Sequence, residues 1–166
     1  MARKSSSAPA GIRPNRPVLT IRMVEKAEIE EFAAREWAQY NAEVGVNWDS
    51  RRYYLAAELG GRPVGLAVFH IVGGVGHLDQ LLVAKAHRGQ GIGSQLIGEF
   101  ERRCRAEGCH KLTLETAEYE GRSSRSTPSG SALQARGFYE KHGFTVLCTM
   151  RDDKFHRIWY LMGKAL

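Results

Sequence analysis

The chain has 166 residues, 43% of them apolar and 25% charged, with 24 Lys and Arg against 18 Asp and Glu. At about 150 residues per domain the length predicts one domain and a tail, large enough to bury about two-thirds of its unfolded surface without a disulfide or metal staple. No apolar run approaches the ~20 residues of a membrane span and no signal-peptide pattern is present, so the net charge of +6 is left to raise the question of a polyanionic partner.

Residues 1–16 hold Arg3, Lys4, Arg13 and Arg16, no acid, and Pro9 and Pro14. They read as a disordered basic extension before a domain over 17–166, because the prolines break any amphipathic helix. The rest of the chain has only two more basic than acidic residues. It shows no Lys/Arg stripe with interleaved aromatics, so neither nucleic acid nor membrane is expected as a partner.

Strand and helix signals then alternate. Val18–Met23 reads as a first strand, and Ile29, Phe32, Ala33, Trp37 and Tyr40 recur at helical spacing. Tyr53–Leu59 and Pro63–Val72 are apolar runs joined by Gly60-Gly61, a hairpin signal. The cluster Gly73–Gly76 leads into a strand at His77–Val83. A long helix over about Gly91–Glu107 places Ile92, Leu96, Ile97, Phe100 and Cys104 on one face, with Gly108 as its stop. Leu112–Thr116 is a fifth strand, and the Gly-, Ser- and Arg-rich stretch 121–130 is a flexible loop. Ser131 and Gln134 form a capping box for a short helix ending near Gly143. Phe144–Met150 and Phe155–Met162 close the chain as strands. The sum is an α+β fold built on one central, mostly antiparallel sheet.

Cys104, Cys109 and Cys148 are odd in number and lack ligand spacing, which suits a reducing, cytoplasmic setting and ordinary buried or half-buried thiols. His70, His77, His87, His110, His142 and His156 are not spaced as zinc ligands, and no metal is expected.

The stretch that carries chemistry is Leu81-Leu82-Val83-Ala84-Lys85-Ala86-His87-Arg88-Gly89-Gln90-Gly91-Ile92-Gly93-Ser94. An apolar strand runs into a loop with three glycines in five residues, and that loop opens a helix. Backbone amides at a helix start lack intrahelical acceptors and the dipole adds positive charge, so the segment is an anion site suited to a pyrophosphate, with Arg88 as an added cation. The spacing matches neither GxxxxGK[ST] nor GxGxxG.

Arg88-x-x-Gly91-x-Gly93 after a strand ending at Val83 resembles the acyl-CoA-binding motif of the GNAT superfamily of N-acyltransferases. Ala135–Phe144 (ARGFYEKHGF) resembles that family's last helix and following strand. Gln134–Phe144 with Asp153–Leu161 is also similar to a bacterial subgroup of acetyltransferases. The order of elements fits the family from about Val18 to Leu166.

The resemblance implies a GNAT-like mixed sheet, splayed at an acyl-CoA cleft and flanked by helices. It implies acetyl-CoA as cosubstrate, with its pyrophosphate on the amides of Gly89, Gln90, Gly91, Ile92, Gly93 and Ser94 and its pantetheine along the backbone of Leu81, Leu82 and Val83. Those strand amides would also polarise the thioester carbonyl. Tyr139 matches the family's Tyr that faces the thioester sulfur, as proton donor to the leaving thiolate. Many members carry Asn seven residues before that Tyr; this chain has Ala132, with Ser129 and Ser131 beside it.

An alkylammonium must lose a proton before it attacks a thioester. Glu115 lies on the strand face away from Leu112 and Leu114 and matches a base position of some members; Asp79 ranks second and His77 third. By a period of two, His77 and Asp79 share a face with Leu81 and Val83. On the acceptor side, Trp48, Tyr53 and Tyr54 are candidate walls, with Glu43 and Asp49 as attractors of a cationic amine. The loop at 119–129 is either a lid or a disordered insertion.

The resulting reading is an acetyl-CoA-dependent N-acetyltransferase acting on a small-molecule or peptide amine by direct attack. A non-catalytic acyl-CoA sensor is the alternative. The sequence leaves homodimerisation open, though pairing through terminal strands is common in the family.

Overall fold

The structure, a computed structural model, describes residues 19–117 and 133–166. The extension at 1–16, the loop at 119–129, Ser131 and Ala132 lie outside the described residues. The chain divides into two units, 1–43 and 44–166.

In the first unit, helix α1 spans Lys26–Val44, as the spacing of Ile29, Phe32, Trp37 and Tyr40 predicts. Its start is fixed by Glu28, which accepts from the backbone N–H of Glu25 at 3.0 Å and pairs with Arg22 at 2.7 Å. The arrangement is half of a capping box. The Arg22 guanidinium, helped by that amide, holds the Glu28 carboxyl below its usual range. The expected first strand is not formed: residues 19–25 carry no regular structure. Leu19, Ile21 and Met23 do alternate, but they stand 86–94% exposed. Alternation makes a strand only where a sheet edge supplies hydrogen bonds and a face to bury.

The second unit is built on six strands: β1 (Arg51–Leu59), β2 (Arg62–Val72), β3 (Val75–Val83), β4 (Lys111–Ala117), β5 (Thr145–Asp153) and β6 (Arg157–Ala165). Their order across the sheet is β1-β2-β3-β4-β6-β5. Every pairing is antiparallel except β3 with β4. Tight turns at Gly60-Gly61 and Gly73-Gly74 make the β1–β2–β3 meander, where the sequence places them. Helices α2 (Ile92–Ala106) and α3 (Leu133–Lys141) complete the fold. The mixed α+β architecture is the one the sequence predicts, with one strand fewer.

One face of the sheet carries the core. Ala67, Phe69, Leu78, Leu112, Leu114, Tyr160 and Met162 from the strands meet Leu96, Ile97, Phe100 and Cys104 from α2. These are the stripe positions read from the sequence, and burying each large side chain contributes about 1.5–3 kcal/mol. Tyr53 stacks on Phe69 at 5.0 Å, and Phe69 packs on Phe100 at 4.8 Å. Of the three cysteines, Cys104 and Cys109 are buried but Cys148 is exposed. That corrects the expectation for Cys148, which lies on the sheet's terminal strand.

Gly76 shows how closely α2 lies on the sheet. A Cβ there would stand 2.4 Å from Cys104 Sγ and 3.1 Å from Leu112. Gly98, on the exposed side of α2, would meet nothing within 4 Å. Gly76→Ala is therefore expected to destabilise the fold by about 2–3 kcal/mol through overpacking. Gly98→Ala is expected to stabilise it by about 0.5–1 kcal/mol through helix propensity. Urea unfolding of the two variants reads both signs.

Candidate active site

The end of β3 and the start of α2 form the anion site. A single 3-10 turn, Lys85–His87, follows Ala84, and the loop then passes through Gly89 and Gly91 at φ of 77° and 78°. An L side chain adopts that left-handed backbone only at a cost, so both positions require glycine. The first backbone bond of α2 runs from Gln95 N–H to Gly91 O at 3.1 Å. The amides of Ile92, Gly93 and Ser94 ahead of it lack intrahelical acceptors, no side chain caps them, and no acid lies in the first turn. Arg88 donates from Nε to Val83 O at 3.0 Å, which ties the loop to the strand and leaves its terminal N–H groups for an anion. The third glycine has a different role from the one the loop motif suggests. Gly93 lies inside α2, and a Cβ there would stand 3.3 Å from the Phe138 ring, so it lets α3 approach.

These residues line a cleft of ≈ 620 Å³ bounded by Leu81, Leu82, Val83, Arg88, Gly89, Gly91–Ser94, Phe138 and Tyr139. The expected strand, loop and helix residues are thus brought together with Tyr139. Gln90 is in the same loop, its side chain turned back to Ala86 O at 3.4 Å. Unpaired amides, a forked cation and an apolar strand edge in one cleft are a donor set that fits the phosphates and pantetheine of coenzyme A.

The cleft exists because β3 and β4 separate. Their parallel ladder has four pairs, Val75–Lys111 to Leu78–Leu114. Beyond it β4 stays with β6 while β3 stays with β2. Immediately past the last pair, β3 carries a bulge: Leu78 faces Phe69 and Gln80 faces Val68, so Asp79 is the extra residue. A bulge shifts the side-chain alternation by one. His77 therefore lies on the face opposite α2, whereas Leu81 and Val83 pack toward the core. The simple period-two reading, which put His77 and Asp79 on one face with Leu81 and Val83, is corrected by this bulge.

On the face away from α2, a polar cluster surrounds the point of separation. Asp79 accepts from or shares a proton with His70 Nδ1 at 3.0 Å and pairs with Arg52 at 3.4 Å. His77 Nδ1 meets Thr113 Oγ1 at 2.9 Å across the ladder, and its ring lies 5.3 Å from that of His70. Burial, aided by His70, holds the His77 imidazole below its ordinary 6.5, against a weaker opposite pull from Asp79 and Glu115. Glu115, the first β4 residue past the ladder, pairs with Lys154. Lys154 comes from the β5–β6 turn, lies over the Trp159 ring at 4.9 Å, and is held above its usual range chiefly by Glu115. On the α2 side of the sheet, burial pushes the Tyr139 phenol up to about 12, so it stays protonated at neutral pH.

The candidate acid and the candidate bases thus flank the separated strands from opposite faces. Sequence reasoning missed Arg52, His70 and Lys154, the partners of Asp79 and Glu115. Only the three-dimensional pairing of β1, β2 and the β5–β6 turn brings them in. The acceptor-side candidates fare unevenly. Tyr53 faces the core, beneath Arg103 at 4.9 Å, so it is no acceptor wall. Tyr54 is 73% exposed beside Leu66, Val68 and Leu82. Trp48 is exposed, and Asp49 bonds to Asn47. In the other unit, Glu43 bonds to Gln39. Among the described residues no group of three or more His, Cys, Asp or Glu could hold a metal ion, and no helix is long and apolar enough to cross a membrane.

Comparison with known proteins defines the class. The family model "Acetyltransferase (GNAT) family" matches residues 21–144, about three-quarters of the chain, and the chain belongs to that family. It is 35% identical over 70 residues to glucosamine 6-phosphate N-acetyltransferase of Trypanosoma brucei brucei, covering 42% of this chain and 37% of that protein. It is 30% identical over 104 residues to a candidate acetyltransferase of Bacillus subtilis (strain 168), covering 55% and 60%. The matched segments therefore span less than two-thirds of either relative. An acetyltransferase crystal structure from Bacillus cereus ATCC 14579 superposes with a TM-score of 0.69 at 23% identity, over 89% of this chain and 98% of that one. That likeness establishes the shared fold.

His77 makes stability depend on pH with a definite sign. The unfolded chain protonates it near 6.5 and the folded chain only below that, so the unfolded state takes up the proton first and acidification favours unfolding. Between pH 7.5 and 5.5 the wild type is expected to lose more Tm than His77→Gln, read from parallel thermal melts. Equal losses would place His77 in an ordinary solvated setting.

Proposed function

We propose that the protein transfers an acetyl group from acetyl-CoA to the primary amine of a small molecule or peptide by direct attack, with no covalent enzyme intermediate. The observation that carries this reading is the flanking of the separated strands β3 and β4 by a protonated phenol on one sheet face and by a group of candidate proton acceptors on the other. Bound acetyl-CoA supplies an activated acyl group as a thioester. The amides of Ile92, Gly93 and Ser94, with the loop amides and Arg88, bind its phosphates. The β3 edge at Leu81–Val83, without a β4 partner and with only Val83 O taken by Arg88, orients the acyl arm, and its N–H groups serve as oxyanion donors.

Tyr139 gives its proton to the departing thiolate, the phenol being held protonated by burial. Glu115 binds the acceptor ammonium and takes its proton, with neutral His77 beside it as the second acceptor. Asp79, tied to His70 and Arg52, holds the bulge. Acceptance by an amine is supported by the N-acetyltransferase name of the Trypanosoma relative. The near-balanced pairs Asp79–Arg52 and Glu115–Lys154 leave the acceptor's remaining chemistry open.

Thiol release from acetyl-CoA over a panel of amines, amino sugars and peptides tests the reading. Tyr139→Phe should keep coenzyme A binding and lower kcat about 100-fold or more, the span of general acid catalysis. Glu115→Gln should lower it by at least about tenfold. Gly91→Glu, which adds a carboxylate and strains a left-handed position, should weaken coenzyme A binding by more than about tenfold, or ~1.4 kcal/mol. Tight binding with no turnover on any acceptor would instead give the non-catalytic sensor.

A further inference from the structure

Lys154 pairs with Glu115, the carboxylate proposed above as the base. The lysine sits in the turn between β5 and β6, where the backbone is strained: Phe155 and His156 in the turn and Asp152 at the end of β5 have φ of 61°, 54° and 50°. For non-glycine residues each such conformation costs on the order of 1 kcal/mol or more, and it persists only where other contacts hold it. Side-chain contacts do so here, among them His156 Nδ1 with Asp152 Oδ1 at 2.9 Å. Trp159 donates from Nε1 to Lys154 O at 2.9 Å, and the Lys154 ammonium pairs with Glu115. The ammonium also lies 4.9 Å from the Trp159 ring centroid. A carboxylate and an aromatic face together make a seat for a primary ammonium. Glu115 is the residue at which β4 leaves β3, and β3 from Leu81 onward lines the coenzyme cleft. A primary amine of this chain thus pairs with the carboxylate that the proposed function uses as proton acceptor.

We infer that Lys154 is a self-acetylation site of this protein, an inference that rests on the acetyltransferase reading above. Glu115 takes one proton from the Lys154 ammonium, and the freed amine attacks the thioester carbonyl. The N–C bond forms and the attacking nitrogen gives its second proton to solvent. The C–S bond breaks and the thiolate leaves with the Tyr139 proton, giving Nε-acetyl-Lys154 and free coenzyme A, and Glu115 returns its proton to solvent. The phenol is restored from solvent. Because Glu115 holds the ammonium above its ordinary pKa, the reaction is slow at neutral pH and quickens as pH rises. Its product carries no charge, so Glu115 is released from its ion pair and left open to an external ammonium. A single self-modification therefore converts an occupied acceptor seat into a vacant one.

The test incubates the full chain with acetyl-CoA and no amine, then reads intact mass and peptide maps, while a parallel sample with the amine panel reads thiol release. The inference expects one acetyl group on the peptide bearing Lys154. Its half-time should not depend on protein concentration, should shorten from pH 7 to 9, and should lengthen about 100-fold in Tyr139→Phe. The same acetyl group should be absent in Lys154→Arg, which keeps the ion pair and so controls for folding. Lys154 left unmodified while amines are turned over would overturn the inference and leave the enzymatic reading standing. Acetyl groups spread over many lysines, at a rate unaltered in Tyr139→Phe, would mark uncatalysed chemistry and overturn it as well. Neither acetylation nor thiol release would sink both.

Discussion

The β3–β4 ladder stops after four residue pairs, and most of what this molecule offers chemically depends on that interruption. Backbone N–H and C=O groups in a sheet interior require partners, yet the β3 edge from Asp79 to Val83 has none from β4. The bulge at Asp79 starts the separation, with His70 and Arg52 holding the bulged carboxylate. The consequence is an unpaired strand edge in the middle of a sheet. A ligand with an extended, amide-bearing arm can complete it, as one strand completes another.

Around that gap, charge and proton donors are sorted by face. The helix start and Arg88 supply positive potential at one end of the cleft, and Tyr139 supplies a buried phenol from α3. The opposite face supplies His77, Asp79 and Glu115. Transfer between a thioester and an amine needs a donor at the sulfur and an acceptor at the nitrogen, and in the proposed reading the separated strands let both reach one carbonyl. In the proposed reading the anion site is made mainly of backbone amides, with Arg88 as its one named side-chain cation.

Much of this was legible in the chain. Gly89 and Gly91 announced the loop because only glycine suits the left-handed backbone found there. The α2 stripe followed from spacing, the two turns from their glycine pairs, and the Tyr139 helix from the family resemblance. Three features were not legible, each for a physical reason. Leu19–Met23 alternates like a strand, but pairing depends on a sheet edge that alternation cannot report. The bulge at Asp79 shifts a period that sequence reading must assume constant, which misassigned the faces of Leu81 and Val83. The ion pairs of Glu115 and Asp79 join residues 39 and 27 positions apart, and no local pattern encodes them. Those pairs bear on the proposed function, since both candidate carboxylates are already engaged by residues of this chain.

The central claim is that the separated strands and the α2 amides together hold coenzyme A. A crystal structure of the protein grown with coenzyme A tests it most directly. The account predicts pyrophosphate oxygens within hydrogen-bonding distance of the Ile92, Gly93 and Ser94 amides, the pantetheine paired to the β3 edge at Leu81–Val83, and the sulfur facing Tyr139. Coenzyme A bound elsewhere, or β3 and β4 closed into a continuous ladder with no coenzyme between them, would contradict it.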